Sequence, residues 1–224
     1  WNTTEDASND VRKAFTKNMP IVIKNTGLNI FTVGQETWDD RIVGTEETNP
    51  TPSFVGKAIS NVFFFKDRLG FICEDKVIMS EVGYYYNFFR KTVRVSKDSD
   101  PIDVGVAYDN VINLKYALPF DNRLILFSEN AQFSLEGGDS LTPKTVSILH
   151  KSSYEMDTNI EPITLDAQIY FGFKRGDHVG IYEYFITNDN NKYEGVEITE
   201  HVPSYIENGG ASPIVLAGSS KEKV

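Results

Sequence analysis

Between Asn61 and Phe89 the chain reads N-V-F-F-F-K-D-R-L-G-F-I-C-E-D-K-V-I-M-S-E-V-G-Y-Y-Y-N-F-F. Residues 62–65, 69–73 and 77–79 are apolar runs, cut by Lys66-Asp67-Arg68 and Glu74-Asp75-Lys76. Runs this short, rich in Val, Ile and Phe, cannot make helices and predict strands joined by tight turns. The near-continuous hydrophobicity of residues 62–65 predicts a strand covered on both faces. Tyr84-Tyr85-Tyr86 and Phe88-Phe89 follow Gly83, an aromatic filling for an antiparallel meander that needs neighbours to bury it.

Two further meanders are expected downstream. The second uses strands at 123–128, 131–135 and 144–149, with Glu129-Asn130 as a two-residue turn. The third uses 168–173, a turn at Lys174-Arg175-Gly176-Asp177, then 179–186, the polar tip 188–191 and 196–202. The three are centred near Phe64, Leu126 and Phe171, gaps close to the ~40–50 residues of a four-stranded propeller blade. The expected fold class is all-β, mostly antiparallel, with propeller-like blades. A β-sandwich or barrel remains the alternative, because evenly spaced short strands suit both.

Ahead of the meanders, residues 3–19 predict one short helix. Ala7, Val11, Ala14 and Phe15 recur at three-four spacing, Thr3 or Thr4 caps it, and Pro20 stops it. Residues 21–24 and 29–33 predict a hairpin across Asn25-Thr26-Gly27, and 38–51 a long loop. Residues 90–95 alternate and predict a strand; 104–106 and 111–118 are further candidates. The expected organisation is therefore a leading segment, 1–56, and a region of three meanders, 57–224. The chain starts at Trp1 and ends without a closing element. Residues 214–217 read as the first strand of something further, so an excerpt of a longer protein is expected.

With 22 Lys+Arg against 32 Asp+Glu, the formal net charge is −10. Such a chain repels phosphate overall, which disfavours tight groove binding to nucleic acid. Cys73 is the one cysteine. It permits no intrachain disulfide and sits in an apolar run, where a buried inert thiol is expected. No apolar run approaches the ~20 residues needed to span a bilayer.

Signals for chemistry are few. His150, His178 and His201 lack a second ligand at metal spacing. Neither a G-x-S-x-G elbow nor a phosphate-cradling loop occurs. Asp98-Ser99-Asp100-Pro101-Ile102-Asp103 gathers three carboxylates but lacks the glycine and distal Glu of a calcium loop, and reads as a turn. Arg90, Lys91, Arg94 and Lys97 form the one local basic patch, next to aromatics. Catalytic, cofactor-binding and metal-binding residues are all expected to be none.

A resemblance carries the reading further. Asn49-Pro50-Thr51-Pro52-Ser53-Phe54-Val55-Gly56 and Val62-Phe63-Phe64-Phe65-Lys66-Asp67-Arg68-Leu69-Gly70-Phe71 resemble the tail tubular protein B, or nozzle, family of short-tailed podovirus phages. So do Val77-Ile78-Met79-Ser80, Tyr86-Asn87-Phe88-Phe89, the Asp98–Asp103 motif with Val104, Tyr116-Ala117-Leu118-Pro119-Phe120, and Phe127-Ser128 with Ala131-Gln132-Phe133. Leu141-Thr142-Pro143-Lys144-Thr145-Val146, Ile169-Tyr170-Phe171 and the run from Ile198 to Ile206 continue it. The resemblance implies a structural, non-enzymatic virion protein of the tail and a propeller-like centre. It also implies a six-fold homo-oligomeric ring that meets an adaptor (gatekeeper) protein and tail fibre. That ring retains double-stranded genomic DNA, then conducts it without sequence-specific binding. No cofactor and no catalytic residues come with it. Six copies multiply every acidic loop by six, which makes Asp98, Asp100, Asp103 and Asp189 the candidates for lumen or gate loops. Two rival readings stand beside it: a tail-associated polysaccharide-degrading enzyme with a carboxylate pair, and a host- or fibre-binding adhesive module.

Overall fold

The computed structural model describes residues 21–108, 110–138, 140–187, 192–206 and 215–219. The helix expected at 3–19 and the tip at 188–191 lie outside them. The chain divides into two compact units, one holding the residues up to Val104 together with Gly137–Val146, the other Gly105–Glu136 and Ser147–Val224. Fourteen strands are seen among the described residues, and no helix.

In the first unit, β1 (Ile21–Gly27) and β2 (Ile30–Gln35) form an antiparallel hairpin. Its turn is Leu28-Asn29, not Asn25-Thr26-Gly27. A register shift between Asn25 and Gly27 carries β1 further, and Asn29 takes the positive φ of 59° that the tight turn needs. The unit's main sheet follows, in the order β3 (Asn61–Phe65), β4 (Arg68–Cys73), β5 (Lys76–Met79), β6 (Ile102–Gly105). Lys66 and Asp67, at φ 47° and 58°, make the two-residue turn whose twist matches the flanking strands. Left-handed backbone at non-glycine residues costs roughly 1–2 kcal/mol each, and neighbouring contacts hold this turn in place. The Tyr85 hydroxyl donates to the Asp67 carboxylate at 2.6 Å, and the Gly83 N–H to the Asp67 carbonyl at 2.9 Å.

One face of this sheet is covered by Trp38, Phe54, Phe88 and Phe89, packed on Phe71, Cys73 and Ile78. Phe71 and Phe88 stack at 5.3 Å, with Phe54 edge-on to both, geometries that favour aromatic clusters beyond their buried area. The covering does not reach β3. Val62 and Phe64 are 54% and 53% exposed while Phe63 and Phe65 are buried, so the expectation of a strand covered on both faces is corrected. It is an edge strand with one open face, and its hydrophobicity misleads because both faces carry apolar residues. The expected strand at 90–95 is also corrected, since no ladder forms there. The Arg90 N–H and carbonyl, which a partner strand would use, bond the Asn49 side chain at 3.0 Å each.

The second unit holds two four-stranded sheets. One is ordered β10-β9-β8-β7, from β7 (Leu114–Phe120), β8 (Arg123–Ser128), β9 (Gln132–Glu136) and β10 (Ser147–Ser152). The other runs β11 (Ile163–Leu165), β12 (Gln168–Arg175), β13 (His178–Ile186), β14 (Tyr193–Glu197) in sequence order. They share a core that includes Ile125, Phe127, Met156, Ile169, Phe171 and Tyr184. Sequence reading missed the three-residue β11. It also placed the starts of β7 and β14 three residues too early and too late, and residues 215–217 form no strand.

In all three large sheets neighbouring strands follow chain order, and Phe64, Leu126 and Phe171 fall one in each. A packing device recurs in two of them. Phe63 faces Gly70 across β3–β4, and Phe173 faces Gly180 across β12–β13. The ring lies on the glycine, where an added Cβ would come within 2.1 Å and 2.3 Å of it. Each sheet is open, with two edge strands, so the barrel alternative is not what the described residues form.

Candidate functional site

The acidic motif at 98–103 is organised by Arg68, a residue that sequence reading passed over as part of a turn. Arg68 is the first residue of β4 and pairs with Phe65. On that inward face its alternate neighbours are Gly70 and Ile72, so its side chain is fully buried. The guanidinium donates to the carbonyls of Ser80 (2.7 Å), Asp100 (2.8 Å) and Asp98 (2.9 Å), with longer contacts to Ser99 (3.4 Å) and Leu141 (3.5 Å). The planar fork of arginine suits this convergence of carbonyls, which an ammonium could not span. Burial pulls its pKa down, and the charges of Asp100 and Glu81 oppose that.

Three of the four sequence candidates therefore lie on one braced loop, and they are not equivalent. The Asp100 carboxylate is buried; it accepts from the Lys97 N–H (2.9 Å) and from Arg90 Nε (3.2 Å). Asp103 is exposed, and its carboxylate accepts from the Ser53 N–H at 2.9 Å. Asp98 gives its carbonyl to Arg68 and leaves its side chain exposed. Asp189 lies outside the described residues.

The basic patch is largely occupied. Besides the Arg90–Asp100 pair, Lys91 Nζ sits 2.8 Å from Glu81 and 3.7 Å over the Tyr84 ring. The hydrogen bond to Glu81 raises the Lys91 pKa. Glu81 is buried and also accepts from Asn87 Nδ2 at 2.6 Å. Arg94 and Lys97 remain exposed. Asp39 and Asp40 line a cleft of about 240 Å³ together with Arg90 and Lys91.

The remaining candidates take structural places. His150 stacks on Tyr108 at 5.0 Å and lies 3.0 Å from Ser153 Oγ. Cys73 is buried in the first core, and burial raises its thiol pKa, as an inert thiol requires. Asp157 is buried, accepts from the Asn159 N–H and side chain at 3.1 and 2.8 Å, and lies 3.7 Å from Lys174. Tyr184, its pKa driven well up by burial, lies 2.7 Å from Ser152 Oγ, which bonds Gln132. Among the described residues, no three His, Cys, Asp or Glu side chains are grouped to hold a metal. No helix there is long and apolar enough to cross a membrane.

The model of the bacteriophage nozzle protein family matches residues 2–224. The chain is 33% identical over 223 residues to a protein of Escherichia phage T7, "Tail tubular protein gp12". That alignment covers 99% of this chain and 27% of the T7 protein, so the chain spans about a quarter of its relative's length.

Proposed function

This chain belongs to the bacteriophage nozzle protein family, and from that premise we propose that it is a structural part of the virion tail nozzle, the channel that retains genomic DNA and conducts it during ejection. The observation that carries the reading is the family match along residues 2–224. In this account the protein is not an enzyme and needs no cofactor. It works as one of six subunits of a ring that meets an adaptor protein and the tail fibres.

The three four-stranded meanders are blades of a propeller-like domain. DNA passes by electrostatic exclusion, not recognition. A lumen lined by carboxylates repels the phosphate backbone and lowers sticking. Within the motif at 98–103, Asp98 and Asp103 expose a side chain and serve this role as a six-fold ring of charge. Asp100 holds the loop's shape from inside. Arg68 braces the loop, as a gate that must hold its shape requires.

The test is the mass and shape of the full-length protein, alone and mixed with its adaptor, by light scattering and negative-stain microscopy. A six-fold ring with an axial channel, alone or on the adaptor, is the expected result. A monomer that never joins the adaptor overturns the reading. Sugar release from host polysaccharide, or saturable binding of that monomer to cells, would then favour the enzyme or adhesin alternative.

A further inference from the structure

The outer face of the β11–β14 sheet carries a groove that the shared core does not use. Side chains alternate across β12: Ile169 and Phe171 enter the core, so Gln168 and Tyr170 point the other way. Ile163, Leu165, Ile181 and Ile198 stand on that second face, and residues 216–219 wall it, leaving a concavity of about 410 Å³. That volume lies within the range of sites that take a small ligand or a few side chains. The wall is closely fitted: a Cβ added at Gly218 would lie 2.4 Å from Leu165 Cδ1.

The groove has an apolar floor and an acidic, polar end. The Tyr170 hydroxyl lies 3.2 Å from both Gln168 Oε1 and Glu183 Oε1. Asp166, exposed in the β11–β12 turn with φ 53°, is the one charged side chain lining the groove among the described residues. The chain's net charge of −10 has the same sign. An anionic partner is repelled here, and a wholly apolar one gains nothing from Asp166. A lysine or arginine side chain fits both parts, because its stem packs on aliphatic surface while its head stays at a carboxylate.

We propose that this groove receives an apolar segment carrying a lysine or arginine, presented by a partner polypeptide, with the stem on Ile163, Leu165, Ile181 and Ile198 and the cationic head at Asp166. The proposal does not depend on the nozzle reading.

The test is photo-crosslinking of the full-length protein with the peptide acetyl-Leu-Lys-photoleucine-amide and its Glu counterpart, the adducts being mapped by mass spectrometry. The Lys peptide is expected to label residues 163–170, 181, 198 and 216–219 saturably. The Glu peptide is expected to label them several-fold less. Asp166→Asn, an exposed substitution, should weaken labelling by about 2- to 5-fold, the range of a surface ion pair, and 0.5 M salt should do the same. Equal labelling by both peptides, indifference to Asp166→Asn, or no saturable labelling of the groove overturns the proposal. The last result is also what a groove filled by the protein's own further chain would give.

Discussion

Replacing Arg68 with methionine keeps the length and volume of the stem and removes the guanidinium. Three short hydrogen bonds go with it, to the carbonyls of Ser80, Asp98 and Asp100 at 2.7–2.9 Å. Hydrogen bonds from a charged donor contribute about 1.5–3 kcal/mol each, and buried acceptors left bare cost about 1–3 kcal/mol. Set against this is the relief of no longer burying a cation, which burial itself opposes. Removing one partner of a buried charged network costs about 3–5 kcal/mol on balance, a large share of the roughly 5–15 kcal/mol that holds a domain folded. With a urea slope of about 1–3 kcal/mol/M, the midpoint of Arg68→Met should fall by roughly 1–5 M. Arg68→Lys should fall by about half as much, since an ammonium reaches only part of the fork. Hydrogen exchange should quicken at residues 97–104, where the loop loses its brace. A change of less than about 1 kcal/mol in Arg68→Met, with exchange in the loop unaltered, would refute the idea that one side chain organises the acidic motif.

Gly70→Ala and Gly180→Ala should each cost about 1–3 kcal/mol in thermal or urea unfolding, because the new Cβ meets the Phe63 or Phe173 ring. Glu136 is half-buried, which alone raises its pKa, but the hydrogen bond and charge of Lys151, 2.8 Å away, hold it below its ordinary value of 4.5. A depressed carboxylate stabilises the fold above pH 4.5, and that contribution is lost as pH falls through the folded-state pKa. Glu136→Gln should therefore be less stable than the parent at pH 7, and urea titrations at successively lower pH should show the gap narrowing once the pH falls below 4.5. The Cys73 thiol should resist an aromatic disulfide reagent in the native protein and react once urea unfolds it. In the six-subunit ring proposed above, Asp98→Lys would change the charge by twelve, and it should slow DNA release in an in-vitro ejection assay while leaving urea stability within about 0.5 kcal/mol.

What could be read in the sequence was the part governed by local pattern. Apolar runs of three to six residues bounded by Lys66-Asp67, Glu74-Asp75 or Glu129-Asn130 became strands because the polar pairs leave the chain little option but to turn. Residues 90–95 failed because alternation only requires extended backbone. A strand also needs a partner, and the Asn49 side chain took those backbone groups from 41 residues away. The open face of β3 was hidden for a related reason, since Val62 and Phe64 look as buried as Phe63 and Phe65 until neighbours are placed. β11 carries too few residues to show a period. At the site, the acidic motif was visible as composition, whereas the difference between a buried Asp100 and an exposed Asp98 depends on Arg68 and Arg90 arriving from other parts of the chain. Arg68 itself left one signal: a charged residue at an inward strand position, in the row Arg68, Gly70, Ile72.

The most direct measurement of the central claim is a cryo-electron-microscopy map of the intact virion tail at a resolution that traces strands. The account predicts six copies of this chain's three four-stranded sheets around an axial channel below the adaptor, with the loop at 98–103 at its lumen. A tail in which these sheets are absent from the channel, or sit as isolated copies at a fibre or on the outer surface, would contradict it.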